Sequence, residues 1–219
     1  HIGSQLGRPD ESAVAASKGL AIVQEFGLSS LNMGGGFPVS YTDEPATPVE
    51  AFADSLLPVL AGAEGVTLMF EPGKFLVSEA GQFLVQVNVV KQTTSTVFAW
   101  VDSGLNHLIR PMFYDAYHHI ENISNPSGKK RFYTVVGYIC ETDTFGANRQ
   151  ISEIKEGDVL SFKNAGAYCF SMASNYNSRY RPAEVIFYKG KDYLVRERET
   201  IEDLMHRQTN ATVDLTGRE

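Results

Sequence analysis

Cys140, Glu141 and Asp143 stand close together in the run VVGYICETDTF (135–145). A thiol beside two carboxylates is a poor way to build a core. It is a good way to present a proton donor and an ammonium-binding acid to a ligand. A lone cysteine at a strand end also reads as a small buried hydrophobe. A second cluster, RPMFYDAYHH (110–119), gathers a guanidinium, phenols and imidazoles. Arg110 and Tyr114 are four apart, so on a helical turn they share a face and can hold one carboxylate between them. The same run also reads as an aromatic core segment with polar edges.

Other stretches add to these. Gly34, Gly35 and Gly36 are successive glycines, whose backbone N–H groups can close on a phosphate, or which simply make a flexible turn. Glu71 precedes Pro72, Gly73 and Lys74, which either aims an acid off a strand end or leaves a solvated turn carboxylate. Ala165–Tyr168 and Ser174–Arg179 mix small, aromatic and polar residues, as site lining or as a turn-rich surface loop.

The elements that must position these groups change character along the chain. Residues 1–85 read as alternating strands and helices: helix over Asp10–Phe26 with Gly27 as a stop, strand over Leu28–Met33, a helix opened by the capping box Thr47-Pro48-Val49-Glu50 and bent or broken at Pro58, strand over Val66–Phe70, helix over Leu76–Val85. Such alternation predicts parallel βα units, with ligand groups on the loops after the strands. The loops 34–36 and 71–74 fall in those places, as does 1–5 if a strand precedes it. From Gln86 onward, Gln86–Val90, Thr96–Asp102, Arg131–Cys140, Asp158–Asn164, Ala167–Met172, Glu184–Tyr188 and Tyr193–Arg196 read as strands without long helices between them, so residues 86–208 predict an antiparallel sheet or barrel. Thr200–Arg207 reads as a short helix and 209–219 as a flexible tail.

Composition limits the function. The chain has 219 residues, enough for one large domain or two small ones, and a net charge of −7 that argues against nucleic-acid binding. Its two cysteines make neither a disulfide framework nor a metal-type spacing, which suits a reducing, cytoplasmic setting. No apolar run approaches a membrane span and no signal peptide is evident.

The stretches HIGSQ (1–5), GGGF (34–37), EPGK (71–74), VDSGLNHLIRPMFYDAYHHI (101–120), VVGYICETDTF, AGAY (165–168) and SNYNSRYRPAEV (174–185) together resemble the diaminopimelate decarboxylases, pyridoxal-phosphate enzymes built from a TIM-like barrel and a β domain. The resemblance implies a partial (β/α) barrel over 1–85 followed by the β domain. It implies that His1 stacks on the pyridine ring, that Ser4 and the Gly34, Gly35 and Gly36 amides bind phosphate, that Glu71 pairs with the ring nitrogen, and that Tyr168 lies by the cofactor. Arg110 and Tyr114 would grip the substrate's distal end, Glu141 its distal ammonium, and Cys140 would protonate the carbon that loses CO2. Lys74 stands where the family usually has arginine and loses the bidentate fork. The reaction implied is decarboxylation of meso-2,6-diaminopimelate to L-lysine, in a homodimer whose Cys140 and Glu141 serve the neighbouring subunit's site.

One part of the pattern is missing. The family's Schiff-base lysine precedes HIGSQ, and the chain opens on His1 with no match to it. Three βα units cannot close an eight-stranded barrel. The expectation is a piece of a longer enzyme, inactive alone and lacking an N-terminal barrel segment. A related amino-acid decarboxylase and a non-catalytic interaction module derived from the family are the alternatives.

Overall fold

Helix α1 (Pro9–Glu25) and helix α2 (Val49–Leu60) lie against a parallel pair of short strands, β1 (Ser30–Asn32) and β2 (Thr67–Met69). The structure is a computed structural model and describes residues 2–209. His1 and the expected tail from Asn210 lie outside the described residues. Ala16, Met33, Phe52, Leu56 and Leu60 form the core of this part, and Leu31 and Leu68 pack on it. Apolar residues four apart on α2, Phe52, Leu56 and Leu60, give it one buried face. Gly27, at φ +60°, ends the first helix as expected.

The α2 capping box does not form. Pro48 itself takes the cap position, and the Thr47 hydroxyl donates instead to the Gly7 carbonyl (3.1 Å). Pro58 does not break the helix, which runs on to Leu60. The expected helix over Leu76–Val85 is also replaced. Helix α3 spans Gly73–Val77, a turn follows, and strand β3 (Phe83–Gln92) already begins inside that range.

The rest is mostly sheet. Strands β3, β4 (Val97–Val101), β5 (Ile120–Asn122), β6 (Lys130–Val136), β7 (Thr144–Ser152) and β8 (Val159–Phe162) form one sheet in the order β5-β8-β3-β4-β6-β7. All neighbours are antiparallel except β4 and β6, which run parallel. The edge strands β5 and β7 approach each other, so the sheet curls into a nearly closed barrel. Its interior holds Val85, Val87, Val101, Leu108, Tyr133, Val135, Phe145, Leu160 and Phe162. The one-turn helix α4 (Arg110–Tyr114) lies between β4 and β5. A separate ribbon of β9 (Glu184–Tyr188) and β10 (Lys191–Arg196) and a short helix α5 (Ile201–Met205) complete the described chain.

Two further strand expectations are corrected. The strand expected to end at Cys140 stops at Val136, and Cys140 lies in the bend that leads to β7. Ala167–Met172 is not a strand: Tyr168 has φ +61° and Phe170–Met172 is a 3-10 turn.

The two parts are stitched together where the site residues lie. Ala165 N–H donates to the Gly81 carbonyl (2.9 Å) and Gly166 N–H to the Ser78 carbonyl (3.0 Å). Glycine is required at both contacts: a Cβ on Gly166 would collide with the Val77 carbonyl oxygen, and one on Gly81 with the Gly166 backbone. The Asn164 side chain, from a residue at φ +57°, donates to the Ser40 carbonyl (2.6 Å).

Candidate active site

The loops after β1 and β2 meet each other. Glu71 N–H donates to the Gly34 carbonyl (2.8 Å), and Gly35 approaches so closely that a Cβ there would strike the Glu71 carbonyl oxygen. Gly36, at φ +87°, accepts from Leu6 N–H (2.8 Å). The Gly34 amide is taken by Asn32 Oδ1 (2.8 Å), whereas the Gly35 and Gly36 amides have no hydrogen-bond partner among the described residues. Asn32 turns its other end to Glu71, donating from Nδ2 to Oε1 (2.6 Å). One side chain thus sets both the glycine loop and the carboxylate.

Lys74 follows at the start of α3. Its Nζ donates to Gln5 Oε1 (2.6 Å) and lies 3.5 Å from Ser4 Oγ. Gln5 is itself tied to the Val39 carbonyl (2.7 Å). Burial, and then the nearby Arg110 charge, push the Lys74 ammonium below its ordinary value. Arg110 opens α4 and is buried, 9% exposed. Its guanidinium sits 5.2 Å from the Tyr41 ring and 5.9 Å from the Tyr168 ring, and Lys74 Nζ lies 6.0 Å from the same Tyr41 ring. Arg110 Nη1 donates to His118 Nε2 (3.0 Å). Neither cation has a carboxylate partner among the described residues. A buried guanidinium without a counter-charge is costly, and an anionic ligand would supply one.

Of the residues expected to bind, the structure therefore brings Ser4, Lys74, Arg110 and Tyr168 to one place, and Gly34, Gly35, Gly36 and Glu71 to the adjoining loops. His1 lies outside the described residues. Tyr114 shares α4 with Arg110 but is 58% exposed and packs on Phe113 (ring centroids 4.6 Å). It is not drawn to the guanidinium.

Cys140 and Glu141 form a second group. The exposed Cys140 thiol donates to Glu141 Oε2 (3.6 Å), and Tyr176 Oη donates to Glu141 Oε1 (2.9 Å). Both residues border a cleft of about 730 Å³ that Phe98, Trp100 and Val136 also line. Asp143, read from sequence as a second acid facing an ammonium, is instead buried, 6% exposed. Its carboxylate accepts Leu105 N–H (2.6 Å) and Ile139 N–H (2.7 Å), so it shapes the bend that displays Cys140. Burial raises its pKa. Cys169 is a packing residue. Burial pushes its thiol up to about 12, and it donates to the His107 carbonyl (3.5 Å).

Asn32, Tyr41 and Tyr176 were not assigned roles from sequence. Their roles arise from contacts with residues distant in the chain. Tyr176 alone had a local signal, its place in the run Ser174–Arg179. Among the described residues, no group of three or more His, Cys, Asp or Glu side chains could hold a metal, and no helix is long and apolar enough to cross a membrane.

Two family models match the chain: the pyridoxal-dependent decarboxylase C-terminal sheet domain over residues 40–166, and the pyridoxal-dependent decarboxylase pyridoxal binding domain over residues 1–78. The chain belongs to the pyridoxal-dependent decarboxylases. A diaminopimelate decarboxylase of Neisseria meningitidis serogroup B is 41% identical, over 94% of this chain and 50% of its own length. The crystal structure of diaminopimelate decarboxylase from Methanocaldococcus jannaschii superposes with a TM-score of 0.88 at 35% identity, over 95% of this chain and 50% of that one. A lysine/ornithine decarboxylase from Vibrio vulnificus, complexed with cadaverine, gives a TM-score of 0.72 at 27% identity, over 81% and 50%. The chain spans about half the length of the curated relatives it matches.

Proposed function

We propose that the complete protein decarboxylates meso-2,6-diaminopimelate to L-lysine with pyridoxal 5'-phosphate, as a step of lysine biosynthesis in the cytoplasm. The observation that carries this reading is the buried Arg110 guanidinium, close to Lys74 and Tyr168 and without a carboxylate partner among the described residues. A substrate with a second carboxylate supplies that partner; lysine and ornithine do not. The relatives named diaminopimelate decarboxylase, three of them structures complexed with L-lysine, support the same choice.

The residues present fit the cofactor. Among the described residues the Gly35 and Gly36 N–H groups have no hydrogen-bond partner, in a loop that a Cβ would close, which suits a phosphate. Glu71, steadied by Asn32, offers a carboxylate to a protonated ring nitrogen. Once bound, the pyridoxal ring supplies an electron sink for the pair left by departing CO2. Arg110, with Lys74 beside it, holds the oxygens of the substrate's second carboxylate and so orients the carbon that loses CO2. Glu141 takes the distal ammonium, and the Cys140 thiol delivers a proton to the carbon that lost CO2. His1, Ser4, Tyr114 and Tyr168 keep the roles that the resemblance gives them.

In this reading the active unit is a homodimer. Among the described residues no hydrogen bond, ion pair or ring contact joins the Cys140–Glu141–Tyr176 group to the Arg110–Lys74 group, which supports a site that takes one group from each subunit. The remaining barrel strands and the cofactor-bearing lysine belong to the part of the relatives' length that this chain does not match. The parallel pair β1–β2, with no other strand paired to either edge among the described residues, supports that division.

The test is a substrate comparison on the full-length protein. Release of CO2 and L-lysine from meso-diaminopimelate is expected, with L-ornithine and L-lysine poor substrates. Preferential decarboxylation of either mono-carboxylate would sink the assignment.

A further inference from the structure

Arg110 begins a helix of only five residues, too short to hold itself in water. Its side chain is long and loses rotamer entropy when it is held in one place. Something outside α4 must aim it. His118, 0% exposed, lies four residues beyond the end of α4 and two before β5. Its Nδ1 is 2.8 Å from the Lys163 carbonyl oxygen, immediately after β8. A carbonyl only accepts, so Nδ1 carries the proton. Its Nε2 is 3.0 Å from Arg110 Nη1, which only donates, so Nε2 is bare. The ring also meets Tyr41 edge to face, with centroids 5.8 Å apart. Tyr41 is the ring over which both Arg110 and Lys74 lie.

We propose that His118 is a positioning residue for Arg110, a neutral imidazole anchored to the sheet that orients the guanidinium without neutralising it. A carboxylate in this place would orient Arg110 equally well, but its charge would compete with the ligand's. Burial and the Arg110 and Arg149 charges keep the imidazole neutral, with a pKa lowered to about 4. The guanidinium therefore keeps its full charge for an incoming carboxylate. This proposal rests on the reading of Arg110 as the grip for the substrate's second carboxylate.

Two substitutions separate the two ends of the ring. His118→Gln can place an amide oxygen near the Nε2 position and keep the acceptor for Arg110. His118→Asn can place an amide N–H near the Nδ1 position and keep the bond to Lys163, but it loses the acceptor. In the full-length protein loaded with cofactor, His118→Asn should weaken diaminopimelate at least about tenfold, in KM rather than kcat, the usual worth of a hydrogen bond to a charged group. L-lysine, which keeps the second carboxylate, should weaken in parallel; affinity for cadaverine, which has none, should not change, and His118→Gln should stay within a few-fold of wild type for both diaminopimelate and cadaverine. If Gln harms as much as Asn, or if cadaverine weakens together with diaminopimelate, His118 is a packing residue and the proposal fails. Arg110→Ala is the reference. If it spares diaminopimelate binding, the reading of Arg110 itself is wrong. If it abolishes selectivity while His118→Asn does not, only the role of His118 falls. Nitrogen-15 NMR of the cofactor-free wild type needs no variant. A proton on Nδ1 alone is expected, and a proton on Nε2 would overturn the proposal.

Discussion

The two thiols of this chain should differ sharply in reactivity, and the size of the difference follows from their surroundings. Cys169 is 7% exposed, packed in the sheet core, and its thiol is pushed from an ordinary 9.0 to about 12 by burial. Three units lower the thiolate fraction near pH 8 by about a thousandfold, before any shielding of the sulfur is counted. Cys140 is exposed, in a bend held open by Asp143. Iodoacetamide at pH 8 should therefore label Cys140 first. Cys169 should react about a thousandfold more slowly in the folded protein than in urea. Peptide mass spectrometry over a time course, folded and in urea, measures both rates. Saturating L-lysine should slow labelling at Cys140 and leave Cys169 unchanged. Labelling of Cys169 within tenfold of its rate in urea, while circular dichroism shows the protein folded, would refute the placement of the two thiols.

Other outcomes follow from the same geometry. The unfolded chain protonates His118 near 6.5 and the folded one only near 4, so unfolding takes up a proton between these values. Its contribution is present above pH 6.5 and lost as pH falls towards 4, on the order of 3 kcal/mol in all. Urea unfolding of wild type and His118→Gln at pH 7 and pH 4.5 should show the smaller pH effect in the variant; equal effects would contradict the buried neutral imidazole. Gly35→Ala forces the loops after β1 and β2 apart and should cost about 1–3 kcal/mol of stability together with most of the cofactor affinity. Cofactor titration of a Gly35→Ala protein that binds normally would show that the two loops do not need their close approach.

The sequence made the chemically unusual places legible and the long-range ones not. Cys140-Glu141 and the Arg110 turn stand out because a thiol beside an acid, or a guanidinium among aromatics, is a poor core. The Asn32–Glu71 pair is separated by 39 residues and Lys74–Gln5 by 69, and nothing local marks either. Asp143 looked like a second ligand acid because its spacing from Cys140 is right; only its burial shows that it serves the bend. Strand β7 escaped detection because Gly146, Asn148 and Arg149 break its apolar pattern, and Asn148 takes φ +52° where the register with β6 shifts. Strand β5 is three residues long. Ala167–Met172 carries strand-like residues but turns at Tyr168. Between Leu76 and Phe83 one apolar pattern spans a helix end and a strand start, with Gly81 packed against Gly166 between them. The parallel pairing of β4 with β6 leaves no trace in a single strand's pattern, since side-chain alternation is the same in either direction.

The central claim is that Arg110 and Cys140 serve one reaction from two subunits. It is tested most directly by mixing two inactive full-length proteins, Cys140→Ala and Arg110→Ala, and allowing their subunits to exchange. In a mixed dimer, one site receives Arg110 from the first protein and Cys140 from the second, while the other site lacks both. Random exchange makes roughly half of the dimers mixed, so decarboxylation of meso-diaminopimelate should recover to roughly a quarter of wild type. If the mixture stays inactive while native mass spectrometry shows that mixed dimers have formed, each site draws both residues from a single chain and the shared-site account is wrong.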